Sequence, residues 1–361
     1  MSRTLVVVAA LGLLGLTVLW FMIGTSAGAI GRAEVRALAL GGGDGETVLV
    51  TIQPGEDAAS IGRKLEEAGV IQDGRLFQIM AGLMGAEGQL AAGDYEFPKN
   101  MAAIQAVQRI RRGQTATVTF TVPEGWRLEQ IADHLQEQGI VSREAFLAAA
   151  ASRSYTYPFL SQIPQGASLE GFLFPDTYTF PKGVTAEQIV DRMLANFQEK
   201  VLSQVGPLPA GGRLQLSLYD VVTLASIVER EAAVAEERPT IASVFLNRLN
   251  LGMALEADPT VQYALTVVDP TSVQRYGYWK RELTIEDLRV NSPYNTRRFA
   301  GLTPGPIANP GLDSILAVVR PQQTDYLYFV CSGGGRHVFA TTAAEHQANV
   351  ARYQDNCGGE G

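Results

Sequence analysis

Twelve residues near the front of the chain recur seventy positions later, and that echo confines the region to a small α/β unit used twice. Val50-Thr-Ile-Gln-Pro-Gly-Glu-Asp-Ala-Ala-Ser-Ile61 is answered by Phe120-Thr-Val-Pro-Glu-Gly-Trp-Arg-Leu-Glu-Gln-Ile131. Gly55 falls opposite Gly125, Leu65 opposite Leu135 and Gly69 opposite Gly139, and the apolar pairs Val70-Ile71 and Ile140-Val141 follow. Each copy predicts a strand alternating around Val and Thr, a Pro/Gly turn, and a helix with apolar residues at i and i+4 that stops at glycine. Two copies are too few for a solenoid, so they read as small modules.

Ahead of them, Thr4 to Gly31 carries no charge and Leu5 to Ile23 is almost wholly apolar. Such a run spans the ~30 Å hydrocarbon layer and predicts a transmembrane signal-anchor helix over residues 5–26, after a short tail at 1–4. The small-x-small sequence Ala27-Gly28-Ala29 keeps a cleaved signal peptide open as the alternative. Arg3 on one side and Arg32 and Arg36 on the other give no clear orientation. Residues 27–46, with Gly41-Gly42-Gly43-Asp44-Gly45, read as a flexible tether. The first module is expected over 47–115, the second over 116–152 and the main domain over 153–357. The 361 residues suffice for two or three domains.

Composition removes several functions. A net charge of −8 leaves no basic footprint for nucleic acid. Two cysteines, Cys331 and Cys357, and three histidines cannot supply a disulfide scaffold or zinc-type ligand spacing, so neither metal nor cofactor is expected. An extracytoplasmic position permits a Cys331–Cys357 bridge without establishing one.

Past Ala151 longer helical stretches alternate with Pro/Gly-rich loops. Thr185-Ala-Glu-Gln188 and Thr342-Ala-Ala-Glu345 are capping-box openings. Tyr326–Val330 and Arg336–Ala340 predict a hairpin around Ser332-Gly-Gly-Gly335. Tyr219 to about Ala235 is apolar nearly all round and predicts a buried helix. The fold class is therefore α+β, with small α/β modules before a larger mixed α/β domain.

Three segments could carry chemistry. Glu170 sits in LEGFLFPDTYTF among Leu169, Phe172, Leu173 and Phe174, where an apolar setting raises a carboxyl pKa and suits a general acid. An ordinary ion-pair role at a strand start fits the same residues. Asp176 is about 20 Å further along extended chain, beyond the ~5–9.5 Å of paired glycosidase carboxylates, and reads as a turn cap. Glu229 in SIVEREA is either a polar wall of a cleft or a salt-bridge partner of Arg230 or Arg248. The twenty-residue run Asn291 to Gly311 reads as a groove wall or a rigid connector. Gln262, Ser292 and Asn295, with the ring of Tyr294, suit a polar sugar.

The succession TVPEGW (Thr121 to Trp126), LEGFLFPDTY (Leu169 to Tyr178), LASIVERE (Leu224 to Glu231), VFLNRL (Val244 to Leu249), MALEADPTVQYAL (Met253 to Leu265), SPYNT (Ser292 to Thr296) and GLTPGPIANPG (Gly301 to Gly311) resembles the YceG-like (MltG) endolytic murein transglycosylase family. YLYFV (Tyr326 to Val330) and GRHVFATTAAEH (Gly335 to His346) fit the same pattern, so the resemblance covers nearly everything after the tether. It implies a single-pass protein of the bacterial cytoplasmic membrane whose LysM-like module and catalytic domain lie outside. It implies peptidoglycan strands as substrate, nearness to peptidoglycan synthases and Glu170 as the catalytic acid; from the residues themselves, Glu229, Gln262, Tyr294 and Asn295 are expected to line the groove. Two alternatives stay open: a membrane-tethered wall-binding scaffold without catalysis, and a water-using muramidase with a second carboxylate such as Glu229 or Asp258.

Overall fold

The computed structural model describes residues 46–152, 154–206, 210–211 and 214–353. The expected span at 5–26, nearly all of the tether and Cys357 lie outside them. Among the described residues no helix is long and apolar enough to cross a membrane. The chain divides into two units at Ala116/Thr117.

The first unit runs β1 (Thr47–Ile52), α1 (Ala58–Glu67), α2 (Gly74–Leu83), β2 (Gly93–Pro98) and α3 (Ala103–Arg111). β1 and β2 are antiparallel, with Thr47 opposite Pro98 and Ile52 opposite Gly93. The Asp57 carboxylate starts α1 by accepting from Ser60 N at 2.7 Å, satisfying one of the donors a helix leaves open. Ile52, Ile61, Leu65, Phe77, Tyr95, Phe97 and Ile110 form the core.

The second unit opens with the same order: β3 (Thr117–Thr121), α4 (Leu128–Glu137), α5 (Arg143–Ala151) and β4 (Thr177–Pro181). β3 and β4 are antiparallel, with Thr117 opposite Pro181 and Phe120 opposite Tyr178. The repeat therefore extends over a second helix and a closing strand. Its second copy does not end at 152, because its closing strand follows a long insertion between α5 and β4. That insertion holds Leu169 to Asp176. The strand β3 needs a hydrogen-bonding partner, and the partner comes from the main domain, so the copy is built into the larger unit.

Next come α6 (Ala186–Asn196), a π turn at Phe197–Leu202, the two-residue strands β5 (Ala210–Gly211) and β6 (Leu214–Gln215), and α7 (Leu218–Glu231). Thr185 and Gln188 cap α6 reciprocally, at 3.3 and 2.9 Å. α7 is buried on every side from Val221 to Val228 and stops at extended Ala232, a turn earlier than its sequence pattern predicts. Around it pack α8 (Arg238–Leu251), α9 (Asp258–Val268) and, after the short α10 (Ser272–Tyr276), α11 (Leu312–Val319). The hairpin β7 (Tyr328–Gly333) and β8 (Arg336–Ala340) and the last helix α12 (Ala343–Tyr353) complete the unit. Thr342 Oγ1 caps the last helix by accepting from Glu345 N at 3.2 Å, as the second capping box predicts, while the Glu345 carboxylate accepts from Thr341 N and Oγ1 rather than from Thr342 N. Residues 291–311 contain no helix or strand beyond a single bridge between Asn309 and Trp126.

Candidate active site

The insertion between α5 and β4 turns sharply at Glu170. Phe172 N bonds back to Leu169 O at 3.0 Å, and Gly171 holds φ +88°. A Cβ on Gly171 would lie 2.6 Å from Pro306 and 2.7 Å from Val222, so only glycine satisfies both the backbone angle and the space. Leu169, Phe172 and Leu173 point into the core, which carries Glu170 inside to 2% exposure.

There the carboxylate meets the start of α4. Leu128 N–H lies 3.2 Å from each oxygen, and Asn309 Nδ2 donates to Oε1 at 2.9 Å. Asn309 is itself fully buried and uses all of its side chain. Oδ1 accepts from Gly171 N at 2.9 Å and Leu173 N at 3.1 Å, and Nδ2 also reaches Trp126 O at 3.0 Å. Burial pushes the Glu170 carboxyl well above the usual carboxylate range, and the nearby charge of Glu129 pushes it further. The Leu128 N–H, Arg127 and Asn309 oppose this without reversing it.

Arg127, next to the helix start, is 2% exposed. Its guanidinium donates to Thr266 Oγ1 and to Tyr278 O, and lies 4.0 Å from the centre of the Trp279 ring and 4.5 Å from that of Tyr263. Burial pulls its pKa down to about 10, which leaves it cationic at neutral pH. Tyr263 and Tyr294 have ring centres 4.7 Å apart, and burial pushes both phenols above the usual tyrosine range. Arg127, Glu129 and Tyr263 also line a cavity of about 410 Å³ with Arg143 and Tyr278. A buried proton donor thus lies behind a cavity wall that carries two cations, one carboxylate and two tyrosine rings. Such a setting suits acid catalysis on a polar ring substrate.

The five residues singled out in the sequence fare differently. Glu170 is at the centre and Tyr294 beside it. Gln262 is half-buried on α9 and gives its amide to Lys280 O at 2.7 Å. Asn295 is fully buried and spent within its own loop, donating to Leu288 O and Val290 O and accepting from Arg297 N. Glu229 accepts from Gly311 N at 3.0 Å and Ser314 Oγ at 2.7 Å, and pairs with Arg238 at 3.3 Å, rather than with Arg230 or Arg248. Asp176 caps Thr177 N and also holds Asn196 and Lys200. Asp258 is paired with Arg297 at 2.6 Å. Sequence reasoning missed Asn309, Arg127, Glu129 and Tyr263. Of these only Asn309 leaves a signal, a lone amide between Ile307-Ala308 and Pro310.

Residues 50–352 match the sequence model of the YceG-like family. The chain is 33% identical over 320 residues to an endolytic murein transglycosylase of Bacillus subtilis, covering 85% of each. It is 31% identical over 337 residues to one of Streptococcus pneumoniae, of which it spans 58%. The crystal structure of a YceG-like protein from Listeria monocytogenes matches with a TM-score of 0.52 at 32% identity, over 84% of this chain and 98% of that one.

Proposed function

The chain belongs to the YceG-like family, and from that premise we propose that it is a murein transglycosylase in which Glu170 is the sole acid/base, cutting glycan strands to leave 1,6-anhydro-muramic ends. The observation that carries the reading is the Glu170 carboxyl, kept protonated by burial and held in place by Leu128 N–H and Asn309. Oε1 receives the Asn309 amide, so Oε2 carries the acidic proton. Oε2–H protonates the glycosidic oxygen as its bond to C1 of the muramic ring breaks. The C6 hydroxyl of that ring attacks C1 and returns its proton to Oε2, which restores the starting acid. Each bond made balances one broken, and no water is consumed. A single carboxyl suffices because the nucleophile belongs to the substrate.

Tyr263 and Tyr294 offer flat faces to the sugar C–H surface, and Arg127 and Glu129 offer polar contacts at the cavity wall. The groove roles of Gln262, Tyr294, Glu229 and Asn295 belong to the same proposal, the last two by shaping the loops rather than by touching sugar. Residues 5–26 hold the enzyme in the cytoplasmic membrane with the rest outside, the first module gives a LysM-like contact with glycan, and nearness to peptidoglycan synthases raises the effective concentration of new strands. A hydrolytic reading draws on one observation, the Glu129 charge acting on Glu170. Turnover of uncross-linked murein by the wild type and by Glu170→Gln tests the proposal. Undiminished cutting by a folded Glu170→Gln protein overturns it.

A further inference from the structure

A second cavity, of about 400 Å³, opens at the far end of α7, where Glu231 is the last helical residue. Its apolar walls include Phe245, Leu255 and Phe329, the two rings meeting edge to face at 5.8 Å. Its charged walls are unevenly matched. Arg248 is bound to Glu256 at 2.9 Å and to the backbone oxygens of Ala254, Leu255 and Leu327. Arg297 is bound to Asp258 at 2.6 Å. The two guanidiniums are thereby taken by two carboxylates. Among the described residues no cation lies within ion-pair distance of Glu231; burial and the Asp258 charge push its carboxyl up to about 8, against the opposing pull of Arg297, the Asp258 N–H and Arg230. A cation brought beside this carboxyl, carried on a group with an apolar stem, would let it ionise.

We propose that this cavity binds the free side-chain ammonium of the diamino acid in a murein stem peptide, with Glu231 as its counter-ion. The inference rests on the murein reading above. An ammonium is compact, offers three donors and sits on methylenes that the phenylalanines and Leu255 can cover, and its charge would hold Glu231 ionised. α9 connects the two places: its first residue, Asp258, is on the cavity wall, and Tyr263, five residues on and about 140° further round the helix, lies beside Glu170. A stem peptide hung from the lactyl group of a sugar bound at Glu170 would run past the start of α9 to reach the cavity. Cross-linking acylates this amine and removes its charge. The cavity therefore reads whether a strand is still uncross-linked.

The test uses full-length protein and labelled uncross-linked glycan chains, either with free stem amines or with those amines N-acetylated. Equilibrium binding to Glu170→Gln separates recognition from cutting. Loss of a charge-assisted hydrogen bond predicts at least about tenfold weaker binding of the acetylated chains, and a matching rise in KM for the wild type. Adding Glu231→Gln is expected to abolish the difference. Equal affinity for the two chains, including no measurable binding of either, overturns the proposal, as does discrimination that survives Glu231→Gln. Discrimination without any cutting by the wild type overturns the transglycosylase reading and leaves this one standing.

Discussion

Asn309 donates to Glu170 Oε1 at 2.9 Å across 139 residues of sequence, and its other polar atom holds the turn on which Glu170 sits. One side chain thus fixes both the acid and its backbone. Asn309→Ala leaves Gly171 N–H and Leu173 N–H buried without acceptors, at about 1–3 kcal/mol each, so thermal stability falls. It also removes a bond that favours ionised Glu170, so the alkaline limb of the kcat/KM profile moves upward. A drop in stability with an unmoved limb assigns Asn309 a structural role alone.

Gly171→Ala tests the turn itself. The angle of +88° and the approach of Pro306 and Val222 leave no room for a methyl group, and a loss of more than about 2 kcal/mol in denaturant unfolding is expected.

Stability should depend on pH through Glu170 and Glu231. Both carboxyls are raised in the folded state, Glu231 to about 8, so between the unfolded value near 4.3 and the folded value the native state binds more protons. Their contribution is complete below the unfolded value and is lost as pH rises through the folded one. The melting temperature is expected to fall from pH 5 to 8, and Glu170→Gln and Glu231→Gln each to flatten that slope. A melting temperature that rises over the range in the wild type, with no change in the variants, contradicts the assignment.

Glu229 is a clamp between α7, α8 and the start of α11. Glu229→Gln breaks a largely buried pair with Arg238 and weakens the bonds to Gly311 and Ser314, and about 3 kcal/mol of stability should be lost in urea unfolding. Glycan affinity of the folded fraction should change little. A large loss of affinity with intact stability would return Glu229 to the groove.

The sequence pattern carried the local structure well, because turns, caps and helical faces are properties of neighbouring residues. Gly125 repeats the φ of Gly55, and the capping box at Thr185 forms as its spacing implies. Glu170 was legible for the same reason, since its apolar surroundings are its own neighbours. Asn309, Arg127 and Tyr263 were not. Their meaning lies in contacts made across more than a hundred residues, and Arg127 on its own looks like any surface charge beside a helix. The closing strand of the second repeat was hidden by the insertion that delivers Glu170. Glu229 was placed near the right helix but given the wrong cation, because Arg238 arrives from α8.

The central claim is that Glu170 cuts murein without water. Mass spectrometry of the fragments released from uncross-linked murein by the wild type, with Glu170→Gln beside it, tests this directly. New muramic ends one water lighter than reducing ends, with a rate about 10²–10⁴-fold lower for the variant, are the expected result. Reducing ends would contradict the account and place a second carboxylate, Glu129 foremost, in the reaction.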